Sequence, residues 1–360
     1  MLKHNQSVEV YYEAQQVGRL ALGPDRLCLF EYAPEWIKNG FSISPFYLPL
    51  KSGVFTAKAD PFDGLFGVFN DSLPDGWGKL LTDRWFVSKG YKPAEFTVID
   101  RLSLVGDKGM GALSYRPSQQ ITTEEIIRRI DFYAREADKI LNAGFSGSLE
   151  EMLVKAGSSG GARPKVIISI EDKDWLIKFR STLDPEEVGK IEYEHSLMAK
   201  KCGIEMPETR LFEGKYFAVQ RFDRDGAKRI HVHSAAGLLY ASSRLPSLDY
   251  TALMKATLAL TRDVKEVGKM FRQMVFNVLI CNKDDHAKNF SYVYRDNRWQ
   301  LSPAYDLLPS FGFNDNHTTT INGKGKPDIN DCIEVARLTA FPEKEAKRII
   351  EEVKEGLVIF

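Results

Sequence analysis

The chain has 360 residues, enough for two domains or one large two-lobed body with a sizeable core. Its 49 acidic and 49 basic side chains cancel, so no global field marks it for nucleic acid or an anionic membrane, and its 43% apolar fraction is that of a globular protein. Four cysteines stand far apart with no Cys-x-x-Cys pair, the pattern of small buried apolar residues rather than of a metal or disulfide framework.

There is no apolar N-terminal leader and no run of about 18 apolar residues, so the expected address is the cytoplasm, with no membrane span. From the N-terminus, Val8–Tyr12 and Leu27–Tyr32 read as strands separated by turn formers such as Gly23-Pro24-Asp25. Asp71-Ser72-Leu73-Pro74-Asp75-Gly76-Trp77-Gly78 reads as a tight connection into a helix, with Asp71 or Ser72 as its cap. Thr122 and Glu125 form a capping-box pattern, and Ile126, Ile127, Ile130, Tyr133, Ala134, Ala137, Ile140 and Leu141 follow at helical spacing. Asn142 and Gly144 suit the stop of this linking helix.

From residue 151 the texture changes. Val166–Ile170 and Trp175–Phe179 predict a hairpin, Glu187–Cys202 a helix stopped by Gly203, and Tyr216–Gln220 another strand. After a turn at Phe222–Gly226 the chain reads as mainly helical. Its clearest helix runs over Val264–Cys281, with Val264, Val267, Phe271, Met274, Val275, Val278 and Leu279 on one face. Strands first and helices afterwards predict an α+β, bilobal body, a small β-rich lobe on a larger helical one. The division expected is 1–145 as a small β-rich N-terminal domain with its linking helix, 146–226 as a β-rich lobe and 227–360 as a helical lobe.

The residues that carry chemistry follow the apolar helix directly: Asn282-Lys283-Asp284-Asp285-His286-Ala287-Lys288-Asn289-Phe290. Asp284 and Asn289 have the D-x-x-x-x-N spacing of a protein-kinase catalytic loop, a proton acceptor for a hydroxyl followed by a neutral oxygen ligand for Mg²⁺. A hairpin over Phe290–Tyr294 and Trp299–Leu301 then leads to Tyr305-Asp306, where a second metal-binding carboxylate belongs. Upstream, Lys178 sits on a strand between Ile177 and Phe179, the place for a cation on phosphates, and Glu192 or Glu194 is its helix partner, with Glu192 preferred. Gly157-Ser158-Ser159-Gly160-Gly161-Ala162-Arg163-Pro164-Lys165 is no Walker A motif. It reads either as a backbone N–H cover for phosphates or as a flexible linker.

The order of these motifs resembles the HipA family of toxin kinases over almost the whole chain. The resemblance rests on Phe30-Glu31-Tyr32-Ala33-Pro34-Glu35-Trp36, Leu48-Pro49-Leu50, Leu73-Pro74-Asp75, Gly111-Ala112-Leu113, Ser158 through Lys165, Ile177-Lys178, Val219 through Arg224, Asp284 through Ser291, and Tyr305-Asp306. It implies a fold distantly related to lipid and protein kinases and an ATP- and Mg²⁺-dependent serine/threonine kinase. Asp284 would be the catalytic base, Asn289 and Asp306 the metal ligands, and Lys178 the residue on the ATP phosphates. Gln220 and Phe222 match the hinge that holds adenine; Ser158, Gly160, Gly161, Ala162, His286 and Lys288 complete the ATP-binding set. Gln220 stands where the family often has Glu. Ser158 aligns with the serine that the family autophosphorylates, with Ser159 as the rival; Arg163-Pro164 replaces the usual Gln-Glu.

The partners that the resemblance implies are a protein substrate of the aminoacyl-tRNA synthetase class, a helix-turn-helix antitoxin of HipB type, and operator DNA through that antitoxin. Two other functions compete with an active kinase. One is a catalytically weak corepressor acting with the antitoxin on DNA, which the intact set Lys178, Asp284, Asn289 and Asp306 argues against. The other is a metal phosphoesterase built on Asp284, Asp285 and His286, which leaves Lys178 and the glycine-rich segment without a task. The N-terminal domain shows no base, metal set or phosphate loop and is expected to serve as scaffold and partner surface.

Overall fold

The computed structural model describes residues 2–119, 121, 123, 128–144, 146–158, 160–242, 245–312 and 314–358. The fold is α+β, in two compact units: Met1–Gly189 with Arg210–His231, and Lys190–Thr209 with Val232–Phe360.

The first unit holds a five-stranded and a four-stranded sheet, besides the two-stranded ribbon Arg224–Asp225 with Lys228–Arg229. In the five-stranded antiparallel sheet the order is Val54–Thr56, Cys28–Tyr32, Gln15–Leu22, Ser7–Tyr12, Leu113–Arg116. Alternation builds its buried face from Val8, Val10, Val17, Leu20, Phe30 and Tyr32. The four-stranded sheet runs Lys165–Ile170, Lys173–Lys178, Tyr216–Gln220, Thr209–Phe212. Its first hairpin closes through Glu171 and Asp172, both at positive φ (54° and 58°), the two-residue turn whose twist matches the strands.

One core joins the N-terminal segment to this second sheet. Trp77, Leu81, Trp85 and Phe86 of helix Gly76–Ser88 cluster with Met152 of helix Leu149–Ala156 and with Val166, Trp175 and Ile177 of the strands. The residues on either side of position 146 therefore pack as parts of one unit.

Two local expectations need correction. The cap of helix Gly76–Ser88 is Asp75, not Asp71 or Ser72. Asp71 instead ends the short helix Gly67–Asn70, and the Ser72 hydroxyl accepts from Tyr115 OH at 2.6 Å. Thr122, Glu125, Ile126 and Ile127 lie outside the described residues. Helix Ile130–Ala143 starts after Arg129 and stops at Gly144 in the left-handed conformation, as its sequence demands.

In the second unit, helices Tyr250–Thr261, Val264–Leu279 and Ile329–Leu338 each start on an aspartate cap, Asp249, Asp263 and Asp328. Val264 sits at the first turn and is 54% exposed, so the apolar face begins at Val267, not Val264. Behind that helix, strands Ser291–Arg295 and Arg298–Leu301 form the expected hairpin, turned by Asp296 and Asn297 at positive φ. Among the described residues no helix is long and apolar enough to cross a membrane.

Candidate active site

The glycine-rich segment is held by the N-terminal part of its own unit. Helix Leu149–Ala156 ends at Gly157, and the next residue, Ser158, is 4% exposed with its Oγ accepting the Met110 N–H at 2.7 Å. Gly161 (φ 95°) donates its N–H to Asp75 Oδ1 at 2.6 Å and accepts the Trp77 N–H at 3.1 Å. Trp77 Nε1 donates to Lys165 O, and Lys165 Nζ donates back to Gly160 O. The segment is thus neither a free linker nor a loop that stands alone.

The approach of Asp75-Gly76-Trp77 to Gly161 is close enough to require glycine. A Cβ on Gly76 would lie 2.4 Å from Gly161 O, and its φ is +40°. Gly76→Ala is expected to cost about 1–3 kcal/mol in urea denaturation, through strain and displacement of the segment.

Lys178 ends its strand opposite Lys165, half-buried, with Nζ 5.5 Å from the Phe217 ring centroid. Gln220 ends the neighbouring strand opposite Trp175. The Arg-Phe-Asp-Arg run that follows is a structural lock. Asp223 is 0% exposed and accepts from Arg221 Nε (2.9 Å) and Nη2 (2.7 Å), Arg224 Nη1 (2.8 Å) and the Gly111 N–H (2.7 Å). The same arginines, with Arg229, donate to the carbonyls of Gly109 and Gly111. Burial pushes the Asp223 carboxyl up, but the Arg221 and Arg224 charges outweigh it, and the net shift is down. Phe222, between them, is half-buried.

In the second unit the loop after helix Val264–Leu279 carries Asp284 on an exposed position. Its backbone is fixed at both ends: the N–H donates to Ser310 Oγ at 2.7 Å, and the C=O accepts from Asn289 Nδ2 at 2.7 Å. That second bond also sets the sense of the Asn289 amide. Asp306 adopts φ +54°, a conformation non-glycine residues rarely take, and its C=O accepts from Asn282 Nδ2 at 3.1 Å. Asn289 is therefore tied directly to Asp284, and Asp306 is joined to the same loop through Asn282.

The adjacent carboxylate behaves differently. Asp285 is 1% exposed and accepts from Tyr250 OH (3.0 Å) and the N–H groups of Thr318 (2.9 Å) and Thr319 (3.2 Å), with His317 Nδ1 at 2.8 Å. Burial first, and then the Asp285 charge, raise the Tyr250 phenol well above its ordinary value, so it stays a donor. Asp285 thus holds the loop from inside and is not poised for metal chemistry. His286 is half-buried, and its Nδ1 has no hydrogen-bond partner among the described residues. Lys288 offers its carbonyl to Tyr305 OH at 2.7 Å, which anchors the segment leading to Asp306. On helix Val188–Lys201, Glu192 is buried, while Glu194 is partly exposed and lies 4.0 Å from Lys190. Ser159 lies outside the described residues.

Sequence reasoning missed Asp75, Trp77, Asn282 and Ser310 as parts of these arrangements. Asp75-Gly76-Trp77 did stand out as a motif, but nothing in it names a partner 86 residues away.

Comparison with known proteins bears on the whole chain. The model of the HipA N-terminal domain matches residues 8–116, and that of the HipA-like C-terminal domain matches residues 157–358. Y4dM of Sinorhizobium fredii is 26% identical over 319 residues, spanning 81% of this chain and 74% of its own. The serine/threonine-protein kinase toxin HipA of Shewanella oneidensis is 24% identical over 316 residues, 77% of this chain and 69% of its own. The solved complex of Shewanella oneidensis HipA, HipB and operator DNA contains a chain that superposes with a TM-score of 0.71 at 18% identity, covering 98% of this chain and 91% of that one.

Proposed function

Because the chain belongs to the HipA family, we propose that it is an ATP- and Mg²⁺-dependent serine/threonine protein kinase with Asp284 as catalytic base. The observation that carries this reading is the clasp of Asn289 on Asp284, in a loop whose Asn282 also holds the backbone of Asp306 at a positive φ. Asp284 takes the proton of a serine or threonine hydroxyl as that oxygen bonds to the γ-phosphorus and the bond from phosphorus to ADP breaks. Lys178 is the proposed residue for the phosphates, backbone groups at Gln220 and Phe222 for adenine, and Gly160, Gly161, Ala162, His286 and Lys288 for the remaining ATP contacts.

Among the described residues no three of His, Cys, Asp and Glu gather as a metal site. That suits Mg²⁺, which takes few protein ligands when phosphates supply the rest. The Asp306 carboxylate and Asn289 Oδ1 are the hard oxygens to hold it, Asn289 Nδ2 being committed to Asp284 O. Bound there, the ion would neutralise charge on the phosphates.

The antitoxin of HipB type and, through it, operator DNA are proposed partners, supported by the likeness to the HipA chain of the HipA–HipB–DNA complex. An aminoacyl-tRNA synthetase is the proposed class of target, and the cytoplasm the proposed location.

Ser158 is the proposed autophosphorylation site. Its Oγ is buried against the Met110 N–H, so the segment must leave that position before the hydroxyl can react. The added charge of about −1.5 to −2 then opposes its return. Incubation with γ-labelled ATP and Mg²⁺, followed by mass spectrometry, should place phosphate on Ser158 and show falling ATP affinity as it accumulates. Wild-type protein that transfers no label would overturn the kinase reading, and phosphate on Ser159 alone would overturn the switch.

A further inference from the structure

Asn282 is 2% exposed, three residues beyond the end of helix Val264–Leu279, and its side chain works at both ends. Nδ2 donates to Asn277 Oδ1 and to Asp306 O, each at 3.1 Å. Oδ1 accepts the Ser310 hydroxyl at 3.1 Å, and the Ser310 oxygen in turn accepts the Asp284 N–H at 2.7 Å. Asn282 and Ser310 also pair as an isolated parallel bridge. Only one sense of the amide satisfies this set, because a flipped amide would turn an oxygen toward two acceptors, Asn277 Oδ1 and Asp306 O. Behind it, Asn277 Nδ2 donates to Tyr250 OH at 2.9 Å, and Tyr250 donates to Asp285, so the amide is backed by a buried polar chain.

The two backbone positions reached from Asn282 are those of the proposed base and the proposed metal-binding acid. We infer that Asn282 is a positioning residue that couples Asp284 to Asp306, setting the acid through its N–H and the base through Ser310. The inference rests on the proposed kinase reading. It assigns separate consequences to the two ends. Losing the donor lets Asp306, at φ +54°, relax to an ordinary conformation and turn its carboxylate away. Losing the hydroxyl lets the Asp284 backbone drift while Asp306 stays in place.

Asn282→Asp keeps the acceptor for Ser310 and removes the donor to Asp306 at nearly constant volume. With Mn²⁺ and a non-hydrolysable ATP analogue, its metal–nucleotide affinity should fall roughly 10–100-fold, the range for lost outer contacts of a metal ligand. Ser310→Ala should bind metal and nucleotide as wild type does and lose roughly 10–100-fold in kcat at unchanged KM for ATP, with Ser310→Thr restoring it. Asn282→Asp folded and binding as wild type, or Ser310→Ala with wild-type kcat, would overturn the coupling. Should Asn282→Asp not fold, the Ser310 pair decides. Wild type that binds Mn²⁺–nucleotide without transferring phosphate, while Asn282→Asp loses that binding, would sink the kinase reading and keep the coupling. Wild type that neither binds nor transfers removes both.

Discussion

Asp284→Gln is expected to lower phosphoryl transfer by about 10²–10⁴-fold, the usual range for removing a positioned general base. The substitution should leave the loop in place, because its fixed points are backbone groups: the Asp284 N–H on Ser310 Oγ and the Asp284 C=O under Asn289 Nδ2. Gln retains both groups, and at an exposed position its extra methylene meets no packed core. Asp306→Asn should divide the kinetics differently, since a hard anionic ligand becomes neutral while the Asp306 C=O still meets Asn282. There KM for Mg²⁺-ATP should rise more than kcat falls. Steady-state rates with γ-labelled ATP, measured beside nucleotide affinity for each variant, separate the two. Wild-type rates in Asp284→Gln would end its assignment as base.

How much of this was legible in the sequence depends on distance along the chain. The turns at Glu171-Asp172 and Gly144, and the hairpin after Phe290, are local events written in local residues, and they were read within a residue or two. The exit from Asp71-Ser72 was misjudged because several residues there can cap a helix, and only packing selects Asp75. Asp284 and Asp285 look equivalent as adjacent carboxylates. They differ because one stands at an exposed position and the other is buried against Tyr250, His317, Thr318 and Thr319, partners 32 to 35 residues away. The N-terminal region looked like a scaffold because it holds no catalytic residue type. Its contribution is made by Asp75, Trp77 and backbone groups of residues 109–111, which reach the glycine-rich segment and the Arg-Phe-Asp-Arg run across 48 to 115 residues.

Asp223→Ala is expected to destabilise the first unit by about 3–5 kcal/mol at pH 7, the scale for breaking a buried charge cluster by removing one partner. The carboxylate is fully buried and shared by Arg221, Arg224 and the Gly111 N–H. Its loss leaves the buried Arg221 and Arg224 guanidinium groups without their shared counter-charge: burial lowers Arg224, and the Asp223 charge is what opposes that shift. Because the folded Asp223 carboxyl is held below its ordinary value, the unfolded chain takes up the proton first as the solution is acidified. Its contribution is therefore complete above an unfolded pKa of about 3.9 and is lost as pH falls from there toward the lower folded value. Urea midpoints taken from pH 7 to pH 3 should show wild type approaching the variant at the acid end, the gap being widest near neutrality. A gap below about 1 kcal/mol at pH 7 would mean that the carbonyls of Gly109 and Gly111 hold these arginines without help from Asp223, and a gap that persists unchanged to pH 3 would mean that its contribution does not come from a depressed carboxyl.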